Sequence, residues 1–111
     1  TINEPMTHST DEHHVFIVNE AEQSPFATPD VLPVRPGDGV LFVVAGDQAK
    51  FTICPETDLF RSIPAGEEIA VAPDRPPRIT VRRDAAPNSV HRYEIEAHAG
   101  GLIDPILIVH D

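Results

Sequence analysis

Basic residues are scarce. Eight Lys and Arg stand against 18 Asp and Glu in 111 residues, a formal net charge of −10. A nucleic-acid binder needs a positive surface to displace phosphate counterions, and an anionic membrane makes a similar demand. The balance argues against nucleic acid and membrane alike. It leaves an unspecified protein or small molecule as partner, and a cation or basic partner is easier to accept. Cysteine is scarcer still. Cys54 stands alone, so no disulfide can form within the chain. A free thiol agrees with a reducing, cytoplasmic compartment. No apolar run approaches the roughly 20 residues of a membrane-spanning helix. Phosphate loop, nucleophile elbow and dinucleotide fingerprint are all missing, so no catalytic motif and no cofactor is indicated.

Proline, by contrast, is abundant. Twelve in 111 residues is about twice the usual frequency of roughly 5%. Each one forbids a helix interior or a central ladder position at its site. The chain is cut into short apolar stretches, which favours many short strands over long helices. The length suits one domain with one modest core. Residues 1–12 are polar and lack periodicity, which predicts an N-terminal arm before a domain spanning 13–111.

Along that domain the spacing predicts about eight strands. The first is His14–Val18. Residues 19–30 read as a loop, followed by a short extended piece, Val31–Val34. Arg35-Pro36-Gly37-Asp38 carries explicit turn chemistry: proline presets φ, glycine accepts φ > 0, and aspartate bonds backbone amides. Gly39–Val44 is apolar throughout and suits a central strand. Ala49–Cys54 alternates, with Phe51 and Ile53 inward. A single helical turn is expected around Leu59 and Phe60, and a turn at Ile63-Pro64-Ala65-Gly66. Glu68–Val71 and Arg78–Arg82 alternate. His91–Ala97 alternates most clearly, with Tyr93, Ile95 and Ala97 inward. Gly100-Gly101 breaks it, and Pro105–His110 closes the chain. Eight short strands at regular spacing describe a sandwich or barrel.

Three features in order resemble the cupredoxin family. Val34-Arg35-Pro36-Gly37-Asp38-Gly39-Val40-Leu41-Phe42 is similar to its turn and following strand. Ile63-Pro64-Ala65-Gly66-Glu67 is similar to its turn before a middle strand. Tyr93–Ala97, a glycine loop and Ile106–Val109 resemble its penultimate strand, ligand loop and last strand. The resemblance implies an all-β Greek-key sandwich of cupredoxin type. It also implies where a blue-copper site would lie, and such a site needs two His and a Cys thiolate, usually with a weak axial Met. The first His is expected in Gln48-Ala49-Lys50-Phe51, which has none. The Cys is expected four residues after the strand's aromatic, and that position is Ala97. The loop beyond keeps His98 and no Met. One ligand of four remains, so blue-copper electron transfer is not expected, and no metal-ligating set is assigned.

Other residues offer chemistry beside a plainer role. His98 is a weak metal ligand or proton donor, or an exposed loop histidine. Cys54 is a nucleophile only with a base beside it, and otherwise a small buried hydrophobe. The resemblance puts it at the end opposite His98, roughly 17 Å away along five residues of strand. Cys54, His91 and His110 would share one end of a sheet, although parity points Cys54 outward and His91 inward. His8, His13 and His14 form either a loose chelating tract or a polar arm. Tyr93 resembles the tyrosine corner of Greek-key sandwiches, its hydroxyl bonding backbone upstream. Glu67, Glu68, Glu94, Glu96 and Asp104 supply carboxylates without a readable pair. The expectation is a small, soluble, non-catalytic binding or interaction module without a blue-copper site. The alternative is a copper or zinc site of another kind.

Overall fold

The computed structural model describes residues 11–61, 63–98 and 100–110. Ten strands form: β1 (Glu12–Asn19), β2 (Phe26–Thr28), β3 (Val31–Val34), β4 (Gly39–Gly46), β5 (Phe51–Pro55), β6 (Ile69–Val71), β7 (Arg78–Thr80), β8 (Val90–Ala97), β9 (Leu102–Ile103) and β10 (Ile106–Val109). One sheet runs β2-β1-β4-β7. The other runs β3-β10-β8-β5-β6, with β9 on β8. Both sheets are mixed, since β1–β4 and β3–β10 pair in parallel and the remaining pairs are antiparallel. The inward residues of the two sheets meet in one core: Val15, Ile17, Val40 and Phe42 from the first, Phe51, Ile53, Tyr93, Ile95, Leu107 and Val109 from the second. Burying each such side chain contributes about 1.5–3 kcal/mol.

The all-β sandwich is therefore as expected, with two small additions. β2 lies inside the predicted loop 19–30, and β9 follows the glycine pair. The helical turn expected around Leu59 and Phe60 is not there. Phe60 instead bridges Ile63 and Val81 and is buried with Leu59, and no helix occurs among the described residues. Tertiary burial of two large apolar side chains outweighs a local propensity worth tenths of a kcal/mol per residue. β4 is central in its sheet, and Gly39, Val40, Phe42 and Val44 on it are buried. Outward Leu41 and Val43 are half-buried, because no third layer covers that face among the described residues. The predicted arm over residues 1–12 gives way by residue 11, where the backbone is already tied to the domain; residues 1–10 lie outside the described residues.

The Arg35–Asp38 turn forms as its chemistry requires. Asp38 N donates to Arg35 O at 3.1 Å, and Gly37 has φ 92°, a region that only glycine enters without strain. The turn then anchors the sandwich. Gly37 N donates to Val81 O, and Val81 N to Asp38 O. The Asp38 carboxylate is buried at 2% exposure. It accepts from Asp11 N at 3.0 Å, Arg35 N at 2.9 Å and His13 Nε2 at 2.8 Å. Burial pushes its pKa up, but the His13 ring and the two amides more than offset that and hold it below its ordinary value.

Candidate functional site

The loops between β4 and β5, between β8 and β9, and between β1 and β2 converge at one end of the sandwich. Phe51 pairs with Ala97, and His98 N donates to Lys50 O at 3.2 Å. The two places where the resemblance puts copper ligands are therefore adjacent, as that alignment requires. The first is the stretch Gln48-Ala49-Lys50-Phe51 and the second is Ala97. A cavity of about 340 Å³ opens here, with Asn19, Gln23, Lys50, Phe51, Ala97 and His98 among its lining residues. Apolar Phe51 and Ala97 line it together with polar Asn19, Gln23, Lys50 and His98. Lys50 is in no ion pair among the described residues.

The loop is short because the chain turns back at once. Ala97 N donates to Gly101 O at 3.0 Å, and Gly100 and Gly101 both take positive φ, 106° and 114°. This closes a hairpin onto β9, whose tip holds His98. The His98 ring leans back over the outer face of the sheet, with Nε2 3.0 Å from Thr52 Oγ1. The expected separation of roughly 17 Å between His98 and Cys54 is therefore too large. Thr52 and Cys54 share the outer face of β5 and lie about 7 Å apart along it. An imidazole at a hairpin tip reaches back along the strand, which shortens the separation that strand length alone would set. No hydrogen bond joins the two residues among those described. Cys54 is in no activating setting either. Burial pushes its thiol pKa up, and Glu68, Glu94 and Glu56 push it further.

Topology does place β5, β8 and β10 side by side, but Cys54, His91 and His110 do not converge. Strand parity holds. Cys54 is opposite Glu94 on the outer face, whereas His91 has the parity of buried Tyr93. His91 is also fully engaged. Ser89 Oγ donates to Ala86 O at 2.5 Å, so it accepts from His91 Nε2 at 2.7 Å, and His91 Nδ1 then accepts from Thr57 Oγ1 at 2.7 Å. The Ser–His contact is thus polarised away from nucleophile activation, because the serine proton already lies on a carbonyl. Burial lowers the pKa of His91, which keeps this chain neutral.

The N-terminal histidines divide in the same way. On β1, His13 points inward to Asp38 and His14 outward, edge-on to Phe16 with ring centroids 6.3 Å apart. Strand parity separates neighbours that sequence reading grouped, and His8 lies outside the described residues. Tyr93 is not a tyrosine corner. Its ring packs edge-to-face on Phe42 at 5.6 Å, and its buried hydroxyl has no hydrogen-bond partner among the described residues. It sits between the sheets, and burial raises its pKa. Of the acidic residues, Glu94 and Asp104 meet Glu56, their nearest oxygens within 4.8 Å of one another. Glu56 escaped the sequence reading. Its position follows from Glu56 N donating to Arg92 O, which extends the β5–β8 ladder one step past the strand.

No family model matches the chain, and no curated protein matches it by sequence. Solved structures do. A pseudoazurin from Sinorhizobium meliltoi superposes with a TM-score of 0.59 at 18% identity, over 92% of this chain and 76% of that one. A point mutant of amicyanin in its reduced Cu(I) form gives 0.56 at 12% identity, over 85% and 81%. A copper-containing nitrite reductase from Thermus scotoductus gives 0.52 at 18%, over 88% of this chain and 30% of that one. The chain has the cupredoxin-type sandwich fold. At these identities the likeness is one of architecture alone, and function has to be argued from the site.

Proposed function

We propose that this chain is a non-catalytic binding or interaction module on a cupredoxin-type sandwich without a type-1 copper centre. The observation that supports this reading is the donor set at the loop end. The stretch Gln48-Ala49-Lys50-Phe51, where the first His is expected, has none, Ala97 stands where the Cys is expected, and the remaining imidazole, His98, shares its Nε2 with Thr52. A trigonal His₂Cys site needs a thiolate, and Ala97 offers a methyl. The one cysteine is three ladder steps away on the outer face, about 10 Å along the sheet. The Lys50 ammonium would repel a metal cation. The residues at this end do not fit type-1 copper. What remains is a small mixed-polarity cavity rimmed by one cation, one imidazole and two amides, suited to holding a molecule or a polypeptide segment without transforming it. Among the described residues no base hydrogen-bonds Cys54, and the His91 beside Ser89 is already engaged, so no activated nucleophile is supplied there.

Elemental analysis and absorption spectra test this reading, on protein purified without a histidine tag, before and after incubation with copper and zinc. The expected outcome is no stoichiometric metal and no intense visible band. One tightly held equivalent of metal, lost in His98→Gln, would overturn it.

A further inference from the structure

We infer that the arginines beside β7 form an oxyanion-binding site that takes the phosphate group of a small molecule. Of the eight basic residues, Arg61, Arg75, Arg78, Arg82 and Arg83 fall between positions 61 and 83. The fold gathers three of them. Phe60 bridges Val81, with Arg61 N donating to Thr80 O and Arg82 N to Leu59 O, both at 2.8 Å. Phe60 and Val81 are buried inward. The period-two alternation of paired extended segments therefore puts Arg61, Thr80 and Arg82 on the opposite, outer side. Arg61, Thr80, Arg82, Arg83 and Asp84 line a hollow of about 540 Å³.

The charges in it are unequal. Asp84 engages Arg82 bidentately, through Nε at 2.9 Å and Nη2 at 3.1 Å. Asp58 and Arg82 also line a neighbouring hollow. Arg61 and Arg83 are in no ion pair among the described residues. The Asp84 contact fixes the Arg82 fork, while the other two guanidinium groups stay available and Thr80 adds a hydroxyl donor. Planar guanidinium forks match the oxygens of phosphate, and several together exceed what one surface arginine achieves. The rest of a chain carrying −10 repels a dianion, so this hollow is where one is held.

The test is an amide-shift NMR titration at constant ionic strength, with inorganic phosphate and phenyl phosphate as separate probes. Saturable shifts are expected at residues 61, 80 and 82–84. Equal affinity for the two probes identifies the phosphate group itself as the ligand, and tighter binding of phenyl phosphate identifies an organic monoester. Arg61→Gln with Arg83→Gln should weaken binding at least tenfold, and Arg92→Gln, on the other sheet, should leave it unchanged. Absence of saturable shifts with both probes overturns the inference. So does an equal loss in Arg92→Gln, which would mean that diffuse charge alone is at work.

Discussion

Replacing Asp38 by alanine should remove about 2–4 kcal/mol of folding stability at pH 7. The figure follows from what the carboxylate holds. Hydrogen bonds to a charged group contribute about 1.5–3 kcal/mol each. Asp38 accepts three, from the Asp11 and Arg35 amides and the His13 ring. The Asp11 and Arg35 amides lie beside exposed residues and regain part of their loss from water, so the sum falls short of three full bonds. The effect also has a definite pH signature. The folded-state pKa is held below its ordinary value, and the unfolded value is about 3.9. A depressed carboxyl pKa contributes stability that is fully present above the unfolded value and is lost as pH falls through the folded one. The gap between wild type and Asp38→Ala should thus be widest near neutrality and should narrow steadily below about pH 4. Urea unfolding at a series of pH values between 7 and 2.5 measures it, with m-values checked for constancy. A gap that stays level across that range, or one under about 1 kcal/mol at pH 7, would refute the reasoning that the buried carboxylate ties β1 to the turn.

Tyr93→Phe should be neutral or stabilising by up to about 2 kcal/mol, since it deletes a buried hydroxyl with no partner among the described residues and keeps the ring on Phe42; a loss above about 1 kcal/mol in thermal unfolding would show that the hydroxyl is satisfied. Gly37→Ala should cost about 1–2 kcal/mol, because φ of 92° penalises any Cβ; equal midpoints in urea would contradict that. Native Cys54 should react with iodoacetamide at pH 7.5 more slowly than the urea-unfolded chain, and Glu94→Gln should speed the reaction, because burial and then carboxylates raise its pKa. Native labelling as fast as that of the unfolded chain would count against it.

What could be read from the sequence was local. Arg35-Pro36-Gly37-Asp38 named its own turn, because proline and glycine constrain φ without help from the rest of the chain. Alternation located β5 and β8 and assigned Cys54 and His91 to opposite faces, because strand parity is a property of the backbone. What could not be read depends on which strands become neighbours and on how far a side chain reaches. His13 was grouped with His14 by proximity in the chain, yet its partner is Asp38, 25 residues on, delivered by the parallel β1–β4 pair. Period two, applied to β1, would have separated the histidines; only the pairing could have supplied the aspartate. The arginine hollow is the same case. Arg61 and Arg82 are 21 positions apart, and a single buried bridge between Phe60 and Val81 sets them side by side. Burial of that pair also explains why the helical turn expected there does not form. The apolar residues that displaced a local expectation are the ones that bring the charges together, so the same contact accounts for the failed prediction and for the site.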